Sequence, residues 1–268
     1  MNNASVSYVK EKLNDRKAKK RFGQNFLIDV NIAKKISLIA TNPQIKSIEI
    51  GPGLGALTEF IIENSKSLDA YEIDRDLFEI LKNEFPNASI YNEDFLDTDL
   101  SIYNEPINVV SNLPYYVTTP ILFKLFNSKL DIQKITVMVQ KEVADRFTAK
   151  PKTKDYNALS IIVSYLFDVK YEFTVNPSSF YPSPKVSSSV ISFTPKVKRN
   201  YEYEEKLFEL IENSFRMRRK TLYNNLKDIY DDEKIKKIYK ELNINEKTRA
   251  EELTLNDYQN IYKVIYEK

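Results

Sequence analysis

Glu49-Ile-Gly51-Pro-Gly53-Leu-Gly55 is the stretch that decides the fold. The residues before it, Ser47–Ile50, form a short run with the character of a buried strand. Those after it, Leu57–Glu63, have helical spacing. Glycines between a strand and a helix permit a tight turn and let a ligand approach the backbone beneath a helix N-terminus. The chain holds only 4 glycines in 268 residues: Gly23, Gly51, Gly53 and Gly55. An average chain carries about 7% glycine, so glycine kept in this loop marks a backbone requirement.

Outward from this loop, apolar strands alternate with helices. Strands are read at Asp69–Ile73, Ser89–Tyr91, Ile107–Val110 and Ile135–Val139. Helices are read from Asp29 (Ile32, Ile36, Ile39 and Ala40 on one face), over Leu77–Phe85 and over Pro120–Phe126. The alternation predicts an α/β protein with a Rossmann-like, doubly wound parallel sheet. Two further strands, near Val169–Thr174 and Val190–Phe193, flank a Pro/Ser-rich loop at Pro177–Ser189. After about residue 200 the spacing is purely helical: Leu207, Leu210, Ile211, Phe215; then Ile235, Ile238, Tyr239, Leu242; then Tyr258, Ile261, Tyr262, Ile265. Thr254 and Asp257 have the spacing of a capping box for the last of these helices. The expected division is a basic N-terminal segment at 1–28, an α/β domain at 29–198 and a small all-helical domain at 199–268.

Composition removes whole classes of chemistry. There is no cysteine and no histidine, so disulfides, thiolate nucleophiles, Ser-His-Asp triads and nearly all zinc chemistry are excluded. No metal is expected. Lys+Arg total 40 against 38 Asp+Glu, a net charge of +2, so any nucleic-acid signal lies in how charge is distributed. No apolar run approaches the roughly 20 residues that span a bilayer, and the N-terminus is polar and then basic. The reading is a cytoplasmic protein with no membrane partner.

The glycine loop read as Gly51-x-Gly53-x-x-Ala56 also fits a dinucleotide fingerprint, so a nicotinamide cofactor stands beside other nucleotide ligands. Either class would place an acidic residue about 20 positions on, against a ribose hydroxyl; Glu72, ending the second strand, fits. Asp94, after the third strand, could accept a hydrogen bond from an adenine amine, with Glu93 competing for the role.

Asn112-Leu113-Pro114-Tyr115 follows the fourth strand, at the carboxyl edge where doubly wound sheets bind ligands. It suggests a chemistry that needs no histidine. An aromatic exocyclic amine such as adenine N6 is a poor nucleophile, because its lone pair is delocalised into the ring. Accepting its two N–H bonds on the Asn112 side-chain oxygen and the Leu113 carbonyl would favour a pyramidal nitrogen aimed at an electrophilic methyl group. This is catalysis by orientation and charge stabilisation. Pro114 stiffens the turn, and Tyr115 offers a face on which an extruded base can stack.

With these motifs together, and with Phe180-Tyr-Pro-Ser-Pro-Lys-Val-Ser187, the sequence resembles the ribosomal-RNA adenine N6,N6-dimethyltransferases, class I enzymes dependent on S-adenosyl-L-methionine. The resemblance includes Arg21-Phe-Gly-Gln-Asn-Phe-Leu27, Gln140-Lys-Glu-Val143 and Phe215-Arg-Met-Arg-Arg-Lys-Thr-Leu222, and covers roughly residues 20 to 265. The first and last of these strings point to the enzymes of the small subunit rather than to the antibiotic-resistance branch. The resemblance implies cofactor contacts at Asn25, Leu27, Gly51, Gly53, Glu72, Asp94 and Asn112. It implies target-adenine contacts at Asn112, Leu113, Tyr115 and Phe180, with Phe180 as the second face of an aromatic clamp. The implied reaction dimethylates N6 of two adjacent adenines near the 3′ end of small-subunit, 16S-type rRNA, with a monomer acting on the small ribosomal subunit.

Basic residues cluster at Lys10–Arg21 (seven basic, two acidic), Lys185–Arg199 (four basic, no acidic) and Arg216–Lys220 (four of five). Such clusters neutralise phosphates. Lys19, Lys20, Arg21, Lys185, Arg216, Arg218, Arg219 and Lys220 are therefore the expected RNA contacts. A nicotinamide oxidoreductase has no use for Asn-Leu-Pro-Tyr, and DNA adenine methyltransferases usually carry Asn/Asp-Pro-Pro-Tyr. The rival from a different class is a non-catalytic RNA-binding ribosome-assembly or transcription factor on the same fold.

Overall fold

The computed structural model describes residues 3–13, 24–196 and 199–267. The chain forms two units, Met1–Ala144 with Lys170–Pro195, and Asp145–Val169 with Lys196–Lys268.

The first unit begins with helix α1 (Val6–Leu13), the two-residue strand β1 (Phe26–Leu27) and helix α2 (Val30–Ala40). Asp29 caps α2, its carboxylate accepting from the N–H groups of Asn31 (3.0 Å) and Ile32 (3.2 Å), which satisfies donors that a helix start leaves orphaned. Then follow β2 (Lys46–Ile50), α3 (Thr58–Asn64), β3 (Leu68–Tyr71), α4 (Arg75–Glu84), β4 (Ser89–Tyr91), β5 (Ile107–Asn112), α5 (Thr118–Asn127) and β6 (Ile132–Gln140). Helices α6 (Lys141–Phe147) and α7 (Ala158–Leu166) precede β7 (Phe167–Val175), β8 (Phe180–Tyr181) and β9 (Ser188–Pro195). The main sheet has the order β4-β3-β2-β5-β6-β9-β7. Strands β4, β3, β2, β5 and β6 run parallel. The sheet is mixed rather than wholly parallel, because β9 lies antiparallel to β6 with Ile135 opposite Phe193 and Gln140 opposite Ser188. Central positions such as Ile48, Val109, Val110, Val137 and Val139 are fully buried, as expected where both faces of a sheet are covered.

The Pro/Ser-rich loop is not structureless. It contains β8, which pairs antiparallel with β1, Phe26 opposite Tyr181 and Leu27 opposite Phe180. Helix α1 packs Tyr8 and Val9 in one buried cluster with Phe26, Leu54 and Leu77. Its Tyr8 hydroxyl and Lys12 ammonium both engage the Glu84 carboxylate at the end of α4.

The second unit contains α8 (Tyr201–Ser214), α9 (Leu222–Leu226), α10 (Asp232–Glu241) and α11 (Leu255–Tyr266). Of the apolar faces read from the sequence, Leu207, Leu210, Ile211, Ile235, Ile238, Tyr258, Ile261 and Tyr262 are buried, and Phe215, Tyr239, Leu242 and Ile265 are half-buried. The Thr254–Asp257 capping box is formed at 2.8 Å and 3.2 Å. Segment Asp145–Val169, read from the sequence with the α/β domain, groups with these helices. The cause is α7, whose Ile161, Ile162, Val163, Tyr165 and Leu166 are all buried; a helix apolar on most sides needs cover on most sides. Tyr165 meets Phe208 of α8 edge-on at 5.7 Å.

Among the described residues no helix is long and apolar enough to cross a membrane, and no group of three or more acidic side chains is placed to hold a metal ion.

Candidate active site

The carboxyl ends of β2, β3 and β5 converge on one cavity in the first unit. Its walls include Asn25 and Leu27 of the β1 segment, Glu49, Gly51 and Gly53 of the glycine loop, Glu72 and Ile73 after β3, and Asn112 to Tyr116 after β5. Of the residues expected to bind cofactor, Asn25, Leu27, Gly51, Gly53, Glu72 and Asn112 thus share one cavity, together with Leu113, Pro114 and Tyr115 of the expected catalytic set.

The loop is built by backbone hydrogen bonds. Gly51 N–H donates to Tyr71 O (2.9 Å), Gly55 N–H to Pro52 O (3.0 Å), and Gly53 N–H to Glu72 Oε2 (3.1 Å). Gly51 and Gly55 have φ of +64° and +84°, conformations that L side chains adopt at a cost. The other Glu72 oxygen accepts from Asp74 N–H (2.8 Å). Each carboxylate oxygen has a second lone pair, so Glu72 braces the loop and retains acceptor capacity for a hydroxyl in the cavity. Burial pushes Glu72 up to about 7, against the lowering effect of those backbone N–H bonds.

Glu49 opens the glycine motif, and the sequence pattern assigns it no role. It is 1% exposed, and Thr58 Oγ1 donates to its Oε2 at 2.6 Å. Burial, reinforced by the nearby Glu72 charge, pushes it up to about 8 despite that hydrogen bond. The signal available in the sequence is an acidic residue at the end of an otherwise buried strand. Tyr116 and Asn3 also line the cavity without having been expected there. Tyr116 adjoins the Asn-Leu-Pro-Tyr motif, while Asn3 carries no sequence signal.

The chemical end of the cavity is ordered by short-range contacts. Ser111 Oγ donates to Ile50 O, locking β5 to β2 at the mouth of the glycine loop. Asn112 Nδ2 donates to the Asn25 carbonyl at 3.2 Å. A carbonyl only accepts, so this contact fixes which end of the amide is nitrogen and leaves Oδ1 as the acceptor end. Leu113 N–H donates to Met138 O (3.1 Å). Tyr115 is half-buried, its hydroxyl 2.8 Å from Ser188 Oγ on β9.

Two expected site residues lie outside the cavity lining. Asp94 is half-buried, with Oδ1 accepting from Leu96 N–H (2.9 Å), whereas its competitor Glu93 is exposed. Phe180 is not an open clamp face: it is 3% exposed, in the buried cluster of Leu27, Val110, Met138, Val175 and Val190. Its partner across β1 and β8 is Leu27, a residue of the cavity wall.

Among the expected RNA contacts, Lys185, Arg216, Arg218, Arg219 and Lys220 are exposed. Arg218 is held within the helical unit by Lys154 O and Glu251. Lys19, Lys20 and Arg21 lie outside the described residues.

Residues 15–267 match the family described as ribosomal RNA adenine dimethylase. The chain belongs to this family. It is 43% identical over 244 residues to the ribosomal RNA small subunit methyltransferase A of Mesomycoplasma hyopneumoniae, covering 90% of this chain and 93% of the relative. It is 43% identical over 258 residues to the protein of that name from Bacillus cytotoxicus, covering 90% and 88%. Among solved structures, the dimethylase chain resembles a dimethyladenosine transferase from Plasmodium falciparum (TM-score 0.76, 24% identity, 88% and 95% covered). It also resembles the 23S rRNA methyltransferase ErmE (TM-score 0.73, 22% identity, 90% and 99% covered). At these identities the structural likeness is one of fold.

Proposed function

We infer that this dimethylase transfers methyl groups from S-adenosylmethionine to adenine N6 in small-subunit ribosomal RNA, two to each of two adjacent adenines near the 3′ end. The observation that carries the reading is the Asn112 amide, its nitrogen tied to the Asn25 carbonyl and its oxygen left to accept an amine hydrogen at the sheet edge.

The residues present fit the cofactor. Gly51 and Gly53 bring backbone to the cavity wall, and Glu72, already accepting from Gly53 N–H, has lone pairs for ribose hydroxyls. When bound, S-adenosylmethionine supplies an electrophilic methyl group. Asn112 Oδ1 and the Leu113 carbonyl accept the two N6 hydrogens, which favours a pyramidal nitrogen and stabilises the positive charge that grows as the bond forms. Preorganised groups of this kind typically contribute about 10²–10³-fold each. Tyr115, anchored to Ser188, stacks on the base. Phe180 acts through Leu27, its partner across β1 and β8. Each transfer releases S-adenosylhomocysteine and one N6 proton, which passes to solvent, and after the first the amine rotates to present its remaining N–H. The helical unit and its Arg216–Lys220 segment, with Lys185 and the basic run ending at Arg21, contact rRNA phosphates. The enzyme works as a cytoplasmic monomer without a metal.

The test is incubation with labelled S-adenosylmethionine and small ribosomal subunits lacking dimethyladenosine, followed by mass-spectrometric mapping. Dimethyladenosine at two neighbouring positions is expected. Asn112→Ala should cut transfer roughly 100-fold or more with a much smaller loss of cofactor affinity; equal losses would refute the orienting role. Subunit binding without transfer by the wild type would instead identify a non-catalytic assembly factor.

A further inference from the structure

The cavity has two large apolar side chains left open to solvent on its wall, Ile73 (43% exposed) and Tyr116 (60% exposed). Their neighbours in sequence are already engaged. Glu72 braces the glycine loop, and Tyr115 is anchored to Ser188. Tyr116 makes no side-chain hydrogen bond among the described residues, and most of its ring is open to solvent. An exposed aromatic ring facing a polar-anchored cavity is a surface that gains by being covered.

Its position indicates what covers it. Partial burial, and after it the charges of Asp94 and Glu72, raises the pKa of the Tyr116 hydroxyl. Glu72, on the cavity wall, is the carboxylate read against the ribose, and Asp94, outside the lining, is one of the two read against an adenine amine. Glu72, Ile73 and Tyr116 line one cavity, so a purine joined to a ribose held at Glu72 would have both exposed side chains on the wall around it. We propose that Tyr116 is a cofactor-binding residue that caps the purine of the bound S-adenosyl group. The proposal rests on the cofactor reading above and assigns the nucleoside a wall that the motif residues do not supply. An RNA base flanking the target is the other purine that could use this ring, and the experiment separates the two.

The measurement is calorimetric titration of the full chain with S-adenosylhomocysteine, S-adenosylmethionine and adenosine, using wild type, Tyr116→Ala and Tyr116→Phe. Because the side chain is mostly exposed, all three should share one Tm. Tyr116→Ala should raise Kd for each ligand about tenfold, the order of an aromatic–base stack, and Tyr116→Phe should restore wild-type affinity. Normal ligand affinity in Tyr116→Ala with a raised KM for ribosomal subunits would overturn the proposal and give the ring to the RNA. Wild type that binds none of the three ligands would defeat the cofactor reading itself, and this proposal with it.

Discussion

Gly51 and Gly55 share one loop and one kind of backbone conformation, yet substitution should fail in different ways at the two positions. At Gly55, φ is +84° and an added Cβ would lie 2.4 Å from Phe85 Cε2 and 2.7 Å from Cζ. Phe85 closes α4 with its N–H on Leu81 O (2.8 Å) and is buried, so it has little room to give. Gly55→Ala therefore combines the left-handed penalty of about 1–2 kcal/mol with overpacking of about 1–3 kcal/mol, roughly 2–5 kcal/mol in all. At Gly51, φ is +64° but the nearest heavy atom to an added Cβ is Pro114 Cδ at 4.0 Å. Gly51→Ala meets only the conformational cost, about 1–2 kcal/mol, while its methyl group enters the cavity wall. Urea unfolding followed by circular dichroism should show Gly55→Ala as the less stable variant. Titration with S-adenosylhomocysteine should show Gly51→Ala with the larger loss of affinity per unit of stability lost. In a double-mutant cycle, Phe85→Ala should cost less in the Gly55→Ala background than in wild type, since one change makes the space the other needs. Equal stability losses at the two glycines, or strict additivity with Phe85→Ala, would refute the steric account.

Other outcomes follow from the same geometry. Glu49 and Glu72 sit at about 8 and about 7 when folded, above the usual 4.5, so between those values the folded chain binds more protons than the unfolded chain. Stability should therefore fall as pH rises from about 4.5 towards 8. Glu49→Gln keeps an acceptor for Thr58 and should flatten that fall in a Tm series from pH 5 to pH 9; an unaltered slope would remove Glu49 from the account. For Tyr115, Tyr115→Phe and Ser188→Ala should each keep most methyl transfer, whereas Tyr115→Ala should raise KM for the RNA substrate about tenfold. A Phe variant as impaired as the Ala variant would assign the work to the hydroxyl.

Much of the fold was readable because its signals are local and periodic. The alternation of apolar runs with helical spacing located the parallel strands. Glycine scarcity singled out the loop, and Thr254–Asp257 announced the last helix. What was not readable depends on contacts distant in sequence. Strands β1 and β8 are two residues each, too short for any period, and exist only because they pair across more than 150 residues of chain. The place of α7 could not be read, since a run apolar on most sides carries no amphipathic phase. Phe180 illustrates the same limit: its burial with Leu27, Val110 and Met138 depends on strands distant in sequence.

That limit bears on how the site is held together. The orientation of Asn112 is set by a carbonyl, Asn25 O, that belongs to no strand of the main sheet. Asn25 directly precedes β1, and β1 is kept in register by β8 through Leu27 opposite Phe180. Phe180 in turn is buried with Val110 and Met138, residues of β5 and β6, and β5 ends in Asn112 itself. The β1 segment, the Asn112 amide and the Phe180 ring therefore form one closed circuit of backbone pairing and packing. Phe180 is thereby linked, through its pairing with Leu27 in β1, to the Asn25 carbonyl that accepts from the Asn112 amide nitrogen.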